Sequence, residues 1–79
     1  MNKNIITYEE AKNFLIHALS ARGNTEIRAL FLKQDYLEAF QIFHFEVSYR
    51  WKEPSSASSH NVKMSVVYDK NLDSFELRS

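Results

Sequence analysis

A long alternation of apolar and polar residues in the middle of the chain constrains the fold more than any other feature. Between residues 42 and 52, every second side chain is aromatic or valine, and the side chains between them are polar or charged. This period of two predicts a β-strand with one apolar and one polar face. An apolar sheet face needs a second layer of structure against it. The apolar positions are Phe43, Phe45, Val47, Tyr49 and Trp51.

An amphipathic helix is predicted before this strand, over residues 8–22. Thr7 and Glu10 have the spacing of a capping box, in which the threonine hydroxyl accepts a hydrogen bond from the backbone N–H three residues later. Gly23 is the only glycine of the chain and predicts a left-handed cap at the end of the helix. Apolar residues recur at helical spacing between these signals, at Tyr8, Ala11, Phe14, Leu15, Ala18 and Leu19.

Two further strands are predicted after the first one. The alternation returns over residues 61–69 and again over residues 74–78. Residues 69–73 contain the Asp and Asn side chains that are typical of a tight turn, whereas residues 53–60 are polar, lack periodicity and predict a flexible loop. Because the three strands follow one another, we expect a C-terminal antiparallel meander.

The segment from residue 25 to residue 40 fits both a strand and a helix. We favour a strand over 26–33, followed by a short turn of helix that Asp35 and Glu38 open as a second capping box. Residues 4–6 are a possible short strand. The predicted fold class is α+β, with one N-terminal amphipathic helix packed on an antiparallel sheet of three to four strands, in one small domain over residues 1–79.

Composition narrows the classes of function. The chain has 79 residues and no cysteine, so it has a small core without disulfides or a thiolate metal site. Ten basic residues balance ten acidic ones, and this zero net charge argues against an extended nucleic-acid surface. No apolar run approaches the roughly 20 residues that span a bilayer, and no signal peptide is recognisable. We therefore expect no membrane association and a cytoplasmic location.

A difference in length between the helix and the first strand predicts the binding site. A helix over residues 8–22 is about 22 Å long, whereas a strand over residues 42–52 extends about 36 Å. One end of the strand is then left uncovered, unless the N-terminal segment or a bend in the sheet covers it. Tyr and Trp are common at protein interfaces. We expect a homodimer or a protein partner to bind a patch formed by Tyr49, Trp51, Val62 and Met64 with Arg50 and Lys52.

No catalytic residue, metal site or cofactor is predicted. The three histidines lie on different elements and have no metal-ligand spacing. His44 and Glu46 share a strand face and could form an acid–base or metal pair, but exposed polar neighbours across strands are the commoner explanation. A single glycine excludes a G-x-S-x-G nucleophile elbow. We expect a non-enzymatic adaptor, immunity or inhibitor-type protein.

Two other functions stay open. Arg50, Lys52 and Lys63 with Tyr49 and Trp51 could bind single-stranded nucleic acid by phosphate contact and stacking. Alternating residues of one strand lie on opposite faces, however, which separates these cations from the rings. The other possibility is a subunit of an oligomeric enzyme whose pocket forms only on assembly.

Overall fold

The computed structural model describes residues 5–51 and 59–79 and shows one helix followed by four strands. The elements are α1 (Tyr8–Ala21), β1 (Asn24–Leu37), β2 (Phe40–Trp51), β3 (Ser59–Asp69) and β4 (Ser74–Arg78). The strands form one antiparallel sheet in the order β1-β2-β3-β4. Helix α1 packs on this sheet, so the predicted α+β fold with a C-terminal meander is confirmed.

The two predicted helix signals are both present in the structure. The Thr7 hydroxyl accepts a hydrogen bond from the Glu10 backbone N–H at 3.4 Å. At the other end, Arg22 is the C-cap and donates its backbone N–H to Leu19, and Gly23 has a φ of +92°. Glycine adopts this left-handed conformation without the steric cost that a Cβ brings. The predicted helix over 8–22 is correct to within one residue.

Strand β1 is longer than predicted, and the predicted turn of helix within it is wrong. Residues 35–37 continue the ladder with β2, where Asp35 pairs with Ile42 and Leu37 pairs with Phe40. The chain reverses instead at Glu38, whose φ is +53°. Pairing with a neighbouring strand has overridden the local capping signal, as tertiary context often does with short-range propensity. The strand predicted over 26–33 therefore forms the middle of β1.

The remaining predictions for the sheet agree with the structure. Strand β4 has the predicted bounds, and β2 and β3 each begin two residues before the predicted start. In the β3–β4 turn, the Asp69 carboxylate accepts hydrogen bonds from the backbone N–H groups of Asn71 and Leu72. Residues 5 and 6 are not in a strand. The predicted loop at 53–60 lies almost entirely outside the described residues.

The core lies between α1 and one face of the sheet. Ring stacking fixes the helix at both sides of the sheet, because Tyr8 stacks on Phe31 of β1 and Phe14 stacks on Phe75 of β4. The molecule is elongated, with dimensions of 47 × 21 × 16 Å. The buried core side chains are Ile6, Ala11, Leu15, Leu19, Phe43, Phe45, Val47, Met64, Val66 and Tyr68.

A buried glutamine attaches the segment before the helix to the central strand. Gln41 is fully buried, and its side-chain oxygen accepts from the Ile6 backbone N–H at 2.9 Å. Its amide nitrogen donates to the Ile6 carbonyl at 3.2 Å. This pair of bonds satisfies the backbone of a segment that has no strand partner, since buried polar groups without partners are costly.

Candidate functional site

The predicted partner patch does not form an open apolar surface. Met64 is only 7% exposed and belongs to the core, and Val62 and Tyr49 are half-buried against it. The Tyr49 ring also stacks on His60. The backbone of Trp51 pairs with Asn24, but the Trp51 side chain and all of Lys52 lie outside the described residues.

The connection between helix and sheet explains why these residues are covered. Helix α1 ends at Ala21 and the chain enters β1 at Asn24, so the carboxyl end of the helix lies where β1 begins. The first residue of β1 pairs with the last residue of β2. The helix therefore covers the Tyr49 end of the sheet. At the other end, Tyr36 and Leu37 are about 60% exposed.

Exposed apolar side chains are concentrated on β1. Leu30, Leu32, Tyr36 and Leu37 are all large and exposed. Strand β1 lies at the edge of the sheet and has a hydrogen-bonded neighbour on one side only. An edge strand presents unpaired backbone groups to other chains. An exposed apolar surface was predicted on β2 and β3, whereas the structure has exposed apolar side chains on β1.

A chain of three polar side chains crosses the sheet on the face opposite α1. The Asp35 carboxylate of β1 lies 2.8 Å from His44 Nε2 of β2. On the other side of the ring, His44 Nδ1 lies 2.9 Å from Ser65 Oγ of β3. Strand pairing causes this alignment, because Ser65 is directly opposite His44 in the register. We call this group the Asp35–His44–Ser65 relay.

The direction of the His44–Ser65 hydrogen bond depends on whether the imidazole is neutral or protonated. An ionised Asp35 only accepts hydrogen bonds, so Nε2 of His44 carries a proton. In the neutral imidazole, Nδ1 then accepts from the Ser65 hydroxyl. When the imidazole is protonated, Nδ1 donates to Ser65, and the serine proton becomes available for a ligand.

A cavity of about 300 Å³ opens beside the relay on the same face. Leu32 lies in its wall at a β-bulge, where the β1–β2 register shifts between Phe31 and Lys33. Bulges redirect side chains and are common beside functional sites. The other lining residues are Lys33, His44, Phe45, Lys63, Met64 and Ser65.

The relay resembles the serine–histidine–aspartate order of hydrolases, but the donors that such chemistry needs are not available next to Ser65. A serine nucleophile needs backbone N–H groups directed at the developing oxyanion. Ser65 is paired with His44 on one side and with Arg78 on the other, so the backbone here is engaged in the ladders. The arrangement therefore suits binding better than acyl transfer. Among the residues that the structure describes, no three side chains form a metal-binding group.

Among the described residues, the one group with a large pKa shift lies on the covered face. The buried Tyr68 hydroxyl donates to Asp73 at 2.5 Å. This hydrogen bond, reinforced by desolvation and by nearby carboxylates, raises the pKa of Tyr68 to about 12. The bond fastens the β3–β4 turn to the core and takes no part in the relay.

The sequence prediction found one member of the relay and missed the other two. His44 was paired with Glu46, which lies on the same face, whereas its hydrogen-bond partners are Asp35 and Ser65. Asp35 was assigned to a helix cap. Asp35 lies opposite Ile42, which is two residues before His44 on β2. This position depends on the bulge in β1, which has no clear signal in the sequence.

Comparisons with protein-family models, with curated proteins and with solved structures give no match to this chain. Within residues 5–51 and 59–79, the one helix is too short and too polar to cross a membrane.

Proposed function

We propose that this protein is a non-enzymatic interaction module that binds a protein partner, or a second copy of itself, along β1 and the adjoining uncovered face of the sheet. The observation that carries the proposal is the group of exposed apolar side chains on a 14-residue edge strand. Adaptors, inhibitors and immunity proteins of the cytoplasm belong to this functional class.

Both components of a strand-addition site are present on β1. No strand within residues 5–51 and 59–79 pairs with its outer edge, so an extended segment can add main-chain hydrogen bonds there. Leu30 and Leu37 are exposed on this strand and supply apolar area for partner side chains. The two register shifts in β1 and the charge of Lys33 restrict which partners fit, because bulges and lysines discourage indiscriminate edge pairing.

This surface revises the residues expected to touch the partner. Met64 and Val62 face the helix, so the β1 leucines take their place in the proposal. Arg50 is exposed at the far end of the uncovered face, and we place it at the rim of the proposed partner surface. The next two residues of the chain, Trp51 and Lys52, remain proposed partner contacts.

The alternative of nucleic-acid binding is less well supported. Arg50 is engaged with Glu26 at 3.2 Å, and the Tyr49 ring is packed on the opposite face against His60. Stacking of bases needs exposed rings beside free cations, and the described part of this end does not offer both together.

The test compares exposed leucines at two places. Leu30→Asp and Leu37→Asp place a charge on the proposed surface, and Leu72→Asp is the matched control because Leu72 is 74% exposed in the β3–β4 turn. Each protein is analysed by sedimentation equilibrium and by affinity capture from its native cells, after circular dichroism has verified folding. We expect the wild type and Leu72→Asp to self-associate or to retain the same partner, and both β1 variants to lose it.

Two results contradict the proposal. One is a wild-type chain that stays monomeric and captures nothing specific. The other is a Leu72→Asp variant that loses binding as fully as the folded β1 variants do, which places the contact elsewhere.

A further inference from the structure

We infer that the cavity beside the Asp35–His44–Ser65 relay binds a small organic carboxylate with an apolar chain. This inference goes beyond the proposed function, since it concerns a small ligand and requires no protein partner. Three features of the cavity carry it: cations at its rim, a hydrogen-bonding serine and an apolar wall.

Two lysines at the rim supply the positive charge. Lys63 is exposed and lies opposite Glu46 in the register, yet it forms no ion pair with any described residue. Lys33 lies 3.8 Å from Asp35 Oδ2, an oxygen that His44 already contacts at 2.8 Å. Among the described residues, Lys33 therefore shares the Asp35 carboxylate with His44, Lys63 has no ion pair, and both lysines line the cavity.

The relay supplies the directed hydrogen bond. Ser65 and His44 both line the cavity, and Ser65 Oγ lies 2.9 Å from His44 Nδ1. When His44 is protonated, it donates to Ser65, and Ser65 can donate to an anion. Hydrogen bonds to a charged acceptor are stronger than those between neutral groups.

The apolar wall and the local charge define the class of ligand. Leu32 at the bulge supplies the apolar wall of the cavity, and a volume of about 300 Å³ is at the lower end for small-molecule sites. Asp35 and Glu46 lie on the same face and oppose a second negative charge on the ligand. A monoanion such as a carboxylate fits these charges better than a phosphate dianion does.

The test is a titration of the full chain with octanoate, followed by amide NMR, with octanol as the neutral probe of the same length. We expect saturable shifts at Lys33, Met64 and Ser65 with a Kd of about 1 mM or tighter for octanoate, and no saturation with octanol. Inorganic phosphate should produce weaker binding than octanoate.

Variants identify the groups responsible. Lys63→Gln and Lys33→Gln are each expected to weaken octanoate binding by about tenfold, the effect of one charged hydrogen bond. Lys12→Gln on α1 is the matched control and should bind as the wild type does. The inference is overturned if octanoate shows no saturable shifts, if octanol binds equally well, or if both cavity variants match Lys12→Gln. The leucine variants test the partner surface separately, because Leu30 and Leu37 do not line the cavity.

Discussion

The two faces of strand β2 have opposite roles although their residues alternate along one stretch of chain. Phe43, Phe45 and Val47 have no exposed surface and form the centre of the core. His44 and Glu46, located between them, lie on the face without a helix, and His44 belongs to the relay. The face under the helix therefore provides the buried core, whereas the face without a helix carries the polar side chains of the relay.

The largest test of this contrast replaces neighbouring residues on the two faces. Phe45→Ala removes a fully buried ring and should lower the free energy of unfolding by about 3–5 kcal/mol. Glu46→Ala should change it by about 0.5 kcal/mol or less. Urea unfolding measures both. If Phe45→Ala is too unstable to fold, Phe45→Leu provides a smaller loss of the same sign. Equal effects at the two positions would contradict the assignment of the faces.

A second comparison concerns two glutamines on the covered face. Gln41→Leu leaves both backbone groups of Ile6 without their partners, and it should cost about 1–3 kcal/mol. Gln34→Leu is the matched control, because the Gln34 amide nitrogen is buried without a hydrogen-bond partner in the structure. We expect it to be neutral or stabilising in thermal unfolding. Faster hydrogen exchange of the Ile6 amide in Gln41→Leu alone would sharpen the result.

The third and smallest effect depends on pH. Tyr68 has a pKa of about 12 in the folded chain against an ordinary value of 10.0, so the folded state holds this proton more tightly. The stability that the Tyr68 hydrogen bond contributes to the folded chain is fully present below about pH 10 and is lost as the pH rises through about 12. The stability difference between the wild type and Tyr68→Phe should therefore shrink over that range in urea unfolding. A constant difference for Tyr68→Phe would refute the role of its hydrogen bond.

Periodicity and end signals were sufficient to predict most of the fold. The alternation in β2, β3 and β4 reports burial on one face, and Thr7 and Gly23 bound the helix by local chemistry. Strand β1 was the exception. Its two register shifts interrupt the alternation of apolar and polar residues. The spacing of Asp35 and Glu38 fits a helix cap, but the pairing of β1 with β2 overrides this local signal.

The site was harder to predict because it depends on register. The relay joins side chains from three strands, and a shift of one residue in β1 would remove Asp35 from the face of His44. The expected patch had a related error. Its residues were correctly placed at one end of the sheet, but the turn at Gly23 directs the helix over that end. Among the described strand residues, the large exposed apolar side chains lie on β1.

The elongated shape of the molecule has a hydrodynamic consequence. A compact chain of this length has a radius of gyration of about 11.6 Å, whereas the Cα atoms here give 13.6 Å. An extended particle diffuses more slowly than a sphere of equal mass and elutes early from a sizing column. A monomer of this protein can therefore be mistaken for a dimer by elution volume, and its association state has to be determined by a method that reports mass.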